Sequence, residues 1–202
     1  MTFSPQEIER LTDTNFFLEK AAISQKIRHT LEQLHETYQN ELGHHSLLVP
    51  DQCPAESFQL VKGEQLEHFP YQYLDFPRFY TREVKFAFRT LFWWGHHIVF
   101  AWILEGGHLR RYKENLINRF SDIADRDICL CLDNSLWEWK AGPGYTLTLT
   151  RERKPEVAAV LANRSYFKLA RFIPFDDPIL MSGSICQQGQ QVLRTMLHVI
   201  EE

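Results

Sequence analysis

The stretch EVKFAFRTLFWWGHHIVFAWILE, residues 83–105, constrains the fold more than any other part of the chain. It is long enough to raise the question of a membrane span. Lys85, Arg89, His96 and His97 interrupt it, however, and its longest apolar run, IVFAWIL, is seven residues. A spanning helix needs about 20 predominantly apolar residues, so no membrane segment is expected. As one strand it would far exceed the usual length of about 3–10 residues. A tight turn at Gly95-His96, glycine first, divides it into two ordinary strands with Trp94 facing His97.

The first strand alternates. Val84, Phe86, Phe88, Phe92 and Trp94 take one face, and Lys85, Ala87, Arg89 and Leu91 take the other. The second, HIVFAWILE, is apolar on both faces, as a central strand covered on both sides would be. Neighbouring strand residues point to opposite faces. His96 and His97 therefore cannot share one metal ion, and His44-His45 has the same defect. The four cysteines (Cys53, Cys129, Cys131 and Cys186) form no CxxC pair. They read as free thiols of a reducing compartment. No metal and no cofactor is expected.

The flanking segments supply helices and further strands. Ser4-Pro5-Gln6-Glu7 is a capping box opening a short helix over residues 5–11. Ile23, Ile27, Leu31, Leu34, Tyr38 and Leu42 form one stripe of a long amphipathic helix, with Gly43 placed for a left-handed cap. SFQLVKG and YQYLDF read as short strands, the second ended by Pro77. HLRRYKENLINRF has helical spacing.

DICLCL, LWEWKA and YTLTLT form an expected meander in which Trp139 meets Leu147 and Trp137 meets Leu149, both tryptophans inward. PEVAAVLA is helical, while SYFKLARF fits either a helix or an edge strand. Leu193, Met196, Leu197 and Ile200 mark a carboxy-terminal helix. The sum is a single α+β domain over residues 1–202: a largely antiparallel sheet of about seven strands, with a long amino-terminal and a carboxy-terminal helix packed on it.

Composition narrows the function classes. With 22 basic and 26 acidic side chains the formal charge is −4, which lacks the footprint of a nucleic-acid binder. MTFSPQEIERL has neither the basic nor the apolar region of a signal peptide, so a cytoplasmic location is expected. The densest mixture of charge and rings is YQYLDFPRFYTRE, residues 71–83. On a strand Tyr71, Tyr73 and Asp75 share a face. Pro77 then leads into a loop with Arg78, Tyr80 and Arg82, and Arg89 lies on the less apolar face of the next strand.

Guanidinium forks and tyrosine hydroxyls can together orient a carboxylate or phosphate. The competing reading is an Asp–Arg pair that merely pins a loop. Asp75 with Glu83-x-Lys85, or Asp125 with Glu138-x-Lys140, has the outline of a restriction-type nuclease, but the pattern is short and common by chance. The expectation is a non-catalytic domain that binds a small anionic ligand or a protein partner through Tyr71, Tyr73, Asp75, Arg78 and Arg89. The alternative is a hydrolase using Asp75 with a nearby histidine or a divalent metal.

Overall fold

A computed structural model describes residues 2–202. Seven strands form one antiparallel sheet in the order β1-β2-β3-β4-β7-β5-β6. They are β1 (Gln59–Leu66), β2 (Phe69–Tyr80), β3 (Lys85–Trp93), β4 (His97–Glu105), β5 (Cys129–Cys131), β6 (Thr146–Thr148) and β7 (Tyr166–Pro174). The helices are α1 (Pro5–Thr12), α2 (Thr14–Leu42), α3 (Leu109–Asn118), α4 (Phe120–Ile123), α5 (Lys154–Ala162) and α6 (Ile185–Leu197). No described helix is long and apolar enough to cross a membrane.

The alternation of β3 sorts the two faces of the sheet. Phe86, Phe88 and Phe92 join Phe100 and Trp102 of β4 and the stripe Ile27, Leu31, Leu34 and Tyr38 of α2 in the main core, which also takes residues from α3, α5 and α6. Its one hydroxyl pair is satisfied internally, because Tyr38 Oη and Thr90 Oγ1 lie 2.9 Å apart. On the opposite face Leu91, Trp93, Val99, Ala101, Ile103 and Ala170 form a second, smaller core with Cys131 and Trp139. That face carries no helix from the first layer. A strap, residues 132–145, covers part of it.

Five local expectations need correction. Gly43 ends α2 in right-handed geometry (φ −62°), its N–H donating to Gln39 O. The β3–β4 turn has three residues, 94–96: Trp93 rather than Trp94 faces His97, and Gly95 supplies the left-handed φ of +74°. Proline does not end β2. The strand passes Pro77 through a bulge, so that Asp75 faces Arg89 while Arg78 faces Ala87. LWEWKA is not a strand, since β5 pairs directly with β6, Leu130 against Leu147. SYFKLARF is β7, an interior strand between β4 and β5 rather than an edge or a helix.

Candidate functional site

Cross-strand register builds the site. Asp75, Arg89, Ala101, Ala170 and Cys129 lie directly opposite one another across five strands. Directly opposed residues share a face, so Asp75 and Arg89 meet on the side away from the helices. Small neighbours leave room for the guanidinium to lie flat over the sheet. Arg89 Nε donates to Asp75 Oδ1 and Nη2 to Oδ2, both at 2.7 Å. The bulge after Asp75 shifts the alternation of β2 by one residue and turns Tyr80 onto the same face. Its hydroxyl donates to Asp75 Oδ2 at 2.8 Å.

Both partners of the pair are buried. Burial disfavours the charge of Arg89, but the hydrogen bonds and negative charge of Asp75 outweigh it and raise the guanidinium pKa above its ordinary value. Burial, with the Asp75 charge added, likewise raises Tyr80 well above the usual phenol range. The carboxylate thus accepts from three donors, one on Oδ1 and two on Oδ2, with no histidine among them. A general base needs a free lone pair aimed at its substrate; the acceptor site left over on Oδ1 belongs to a side chain with no solvent exposure. Among the described residues no group of three His, Cys, Asp or Glu side chains could hold a metal ion.

The strap closes the site from above. Lys168, buried on β7, donates to Ser135 O at 3.1 Å and to Glu138 O. Arg164 donates to Leu132 O and Asp133 O, and the Tyr166 hydroxyl donates to Asp133 O at 2.9 Å. Glu138 folds back to accept from the N–H groups of Trp139 and Lys140. The cationic and hydroxyl donors of residues 164–168 therefore satisfy strap carbonyls that have no ladder of their own. Burial lowers the Lys168 pKa, and its ammonium sits 4.5 Å from the Trp139 ring centre.

Held in this way, the strap brings its tryptophans over the ion pair. The Arg89 guanidinium carbon lies 3.9 Å from the Tyr73 ring centre, 5.1 Å from that of Trp137 and 5.4 Å from that of Trp139. The two tryptophans differ: Trp139 is 2% exposed and Trp137 46%. Between them and the sheet lies a cleft of about 340 Å³ lined by Gln59, Leu66, Tyr71, Tyr73, Tyr80, Arg89, Leu91, Trp137 and Trp139. Arg89 is the only charged group in that lining.

Of the residues singled out from sequence, Tyr71, Tyr73 and Arg89 line the cleft, and Asp75 lies beneath Arg89 without reaching it. Arg78 shares their side of the sheet and stacks on Tyr80 at 4.7 Å, outside the lining. Sequence reasoning did not place Trp137, Trp139 or Lys168 here. The available signal was a lone lysine in the apolar alternation of SYFKLARF, which needs a polar partner somewhere on its face. The histidines of the β3–β4 turn are ring-packed: His96 stacks on Trp93 at 3.7 Å, and His97 Nε2 meets Trp139 O at 2.9 Å. Neither nuclease outline assembles: Lys85 pairs with Glu105, and Lys140 pairs with Glu67 and Glu138 while Asp125 pairs with Arg151. Comparison of the chain with protein-family models, with curated proteins and with solved structures finds no match to any of them.

Proposed function

We propose that the protein is a non-catalytic binding module that takes a small, flat ligand carrying one acceptor group, a carboxylate or carbonyl, into the cleft between the strap and the sheet. The observation that carries this reading is the lining: five aromatic rings around a single guanidinium already fixed in place. Flat rings supply large contact area at low entropic cost. Arg89 spends two of its five N–H donors on Asp75, which leaves donors for a ligand acceptor. Because Asp75 already neutralises the guanidinium, a monoanion or an uncharged acceptor suits the site better than a phosphate dianion. The engaged state of Asp75 places the hydrolase alternative second.

The test is a ligand-observed NMR screen of three fragment sets: aromatic carboxylates such as benzoate, neutral aromatic amides, and aliphatic carboxylates. Aromatic fragments with an acceptor should bind in competition with one another. They should lose affinity in Trp137→Ala and weaken in Arg89→Lys, which keeps the charge but not the fork. Binding confined to aliphatic acids, or aromatic binding indifferent to both substitutions, would remove the cleft from consideration.

A further inference from the structure

The amino-terminal segment poses a separate question. α1 begins with a complete capping box, Ser4 and Glu7 each bonding the other's backbone N–H. None of its residues is buried. Isolated helices shorter than about 12–15 residues are marginal in water, so an eight-residue helix needs a surface to rest on. Its apolar residues, Ile8 and Leu11, share one face, and Phe3 precedes the cap. They are 51%, 60% and 63% exposed.

The adjoining half of α2 repeats the pattern. From Ser24 onward the inner stripe of α2 is buried against the sheet. Before Ser24 the same side of the helix continues outward as Phe16, Phe17 and Ile23, each about half exposed. The helix therefore runs past the structure that covers it while keeping a core-like face. Lys20, between Phe16 and Ile23 on that side, pairs with Glu64 of β1, the edge strand, at 2.6 Å.

We infer that residues 3–23 are an interface with a second copy of this chain, α1 and the overhanging turns of α2 packing on their counterparts across a two-fold axis. Three considerations select that occupant. The six residues, 45–63% exposed, present roughly 600 Å² of largely apolar surface per chain, most of the about 800 Å² that each partner of a standard interface buries. A two-fold arrangement lets one stripe serve as both donor and acceptor surface, and such dimers are the commonest oligomers. The segment also carries four acidic residues (Glu7, Glu9, Asp13 and Glu19) against Arg10 and Lys20. That balance gives no basic face for the anionic membrane surface an exposed amphipathic helix otherwise suits.

Analytical ultracentrifugation of the full chain at tens of micromolar tests the inference. The expected species has twice the 23.9 kDa mass of the chain. Leu11→Glu combined with Phe16→Glu should shift it to the monomer with an unchanged melting temperature for the remainder of the fold. Met181→Glu, at a side chain 86% exposed elsewhere, should leave the dimer intact. Dilution of the wild type should release α1 amides to hydrogen exchange in step with dissociation, a readout that needs no variant. A monomeric wild type overturns the inference, whether or not it binds vesicles of zwitterionic lipid. So does a dimer that survives the double substitution.

Discussion

Asp75 and Arg89 face each other across β2 and β3 with two parallel hydrogen bonds of 2.7 Å, and both side chains are buried. Breaking such a pair by removing one partner leaves an uncompensated buried charge and costs about 3–5 kcal/mol. Asp75→Ala should therefore lower the urea midpoint severely, and more than Tyr80→Phe, which removes a single donor to the same carboxylate. Replacing both partners, as in Asp75→Leu with Arg89→Met, should be less damaging than Asp75→Ala alone. As a control, Arg110→Ala breaks an exposed helical pair with Glu114 and should cost no more than about 0.5 kcal/mol. A double variant as unstable as the sum of its parts would show that the two side chains are not energetically coupled.

The strap tryptophans provide a second contrast. Trp139 is enclosed between Lys168, Arg89 and the small core, whereas Trp137 is half exposed above the cleft. Trp139→Ala should cost about 3–5 kcal/mol, the usual range for emptying a buried large ring. Trp137→Ala should cost much less and act on ligand affinity instead. Equal losses of stability in chemical denaturation would mean that both rings are structural.

How much of this was legible follows from where the determining contacts lie. The β3–β4 hairpin is legible because its alternation and its glycine are local: Phe86, Phe88 and Phe92 face the main core as expected, while the turn lies one residue from its expected place, with Trp94 in it. Asp75 and Arg89 could be paired because both stand out as charges among apolar neighbours. LWEWKA imitates a strand because its two tryptophans sit at alternate positions. The strap is instead held by Arg164 and by Tyr166 and Lys168 of β7, about 30 residues later, and β4, the partner of β7, is more distant still. The bulge at Phe76-Pro77 was hidden for a related reason. Proline signals an interruption but not whether the chain leaves the sheet or merely shifts its alternation, and that shift is what brings Tyr80 to Asp75.

Acidification should weaken the fold through His97. Its Nε2 lies 2.9 Å from Trp139 O, and a carbonyl only accepts, so the proton sits on Nε2 and Nδ1 is the site that titrates. Burial lowers its pKa below the ordinary 6.5, against the smaller opposing effect of that hydrogen bond. Burial lowers His35 in the same way. As the pH falls below 6.5 the unfolded chain then binds more protons than the folded one, and stability drops with pH until the depressed folded pKa is passed. Above that window these histidines contribute no slope. His97→Gln keeps an N–H donor for Trp139 O and removes the titration, so its melting temperature should fall less steeply between pH 7 and 5. An unchanged slope in that variant would exclude His97 as the source.

Gly189 lies within α6, where glycine is normally about 0.5–1 kcal/mol worse than alanine, so Gly189→Ala is a stabilising change on helix propensity alone. Packing reverses the sign. A Cβ at this position would come within 2.6 Å of Leu34 Cδ2, 2.6 Å of Tyr38 Oη and 3.0 Å of Phe100 Cε1. Leu34 and Phe100 are fully buried, and the Tyr38 hydroxyl is held 2.9 Å from Thr90. None of the three can move aside without disturbing the main core. Overpacking of this kind costs about 1–3 kcal/mol, more than the propensity gain, so the variant should be destabilised by about 1 kcal/mol or more. Pairing it with Tyr38→Phe removes one of the obstructing atoms together with its hydrogen bond. The two changes should then be less costly together than the sum of each alone. A Gly189→Ala protein with a urea midpoint at or above wild type would show that α6 does not press on α2 and β4 as closely as these distances require.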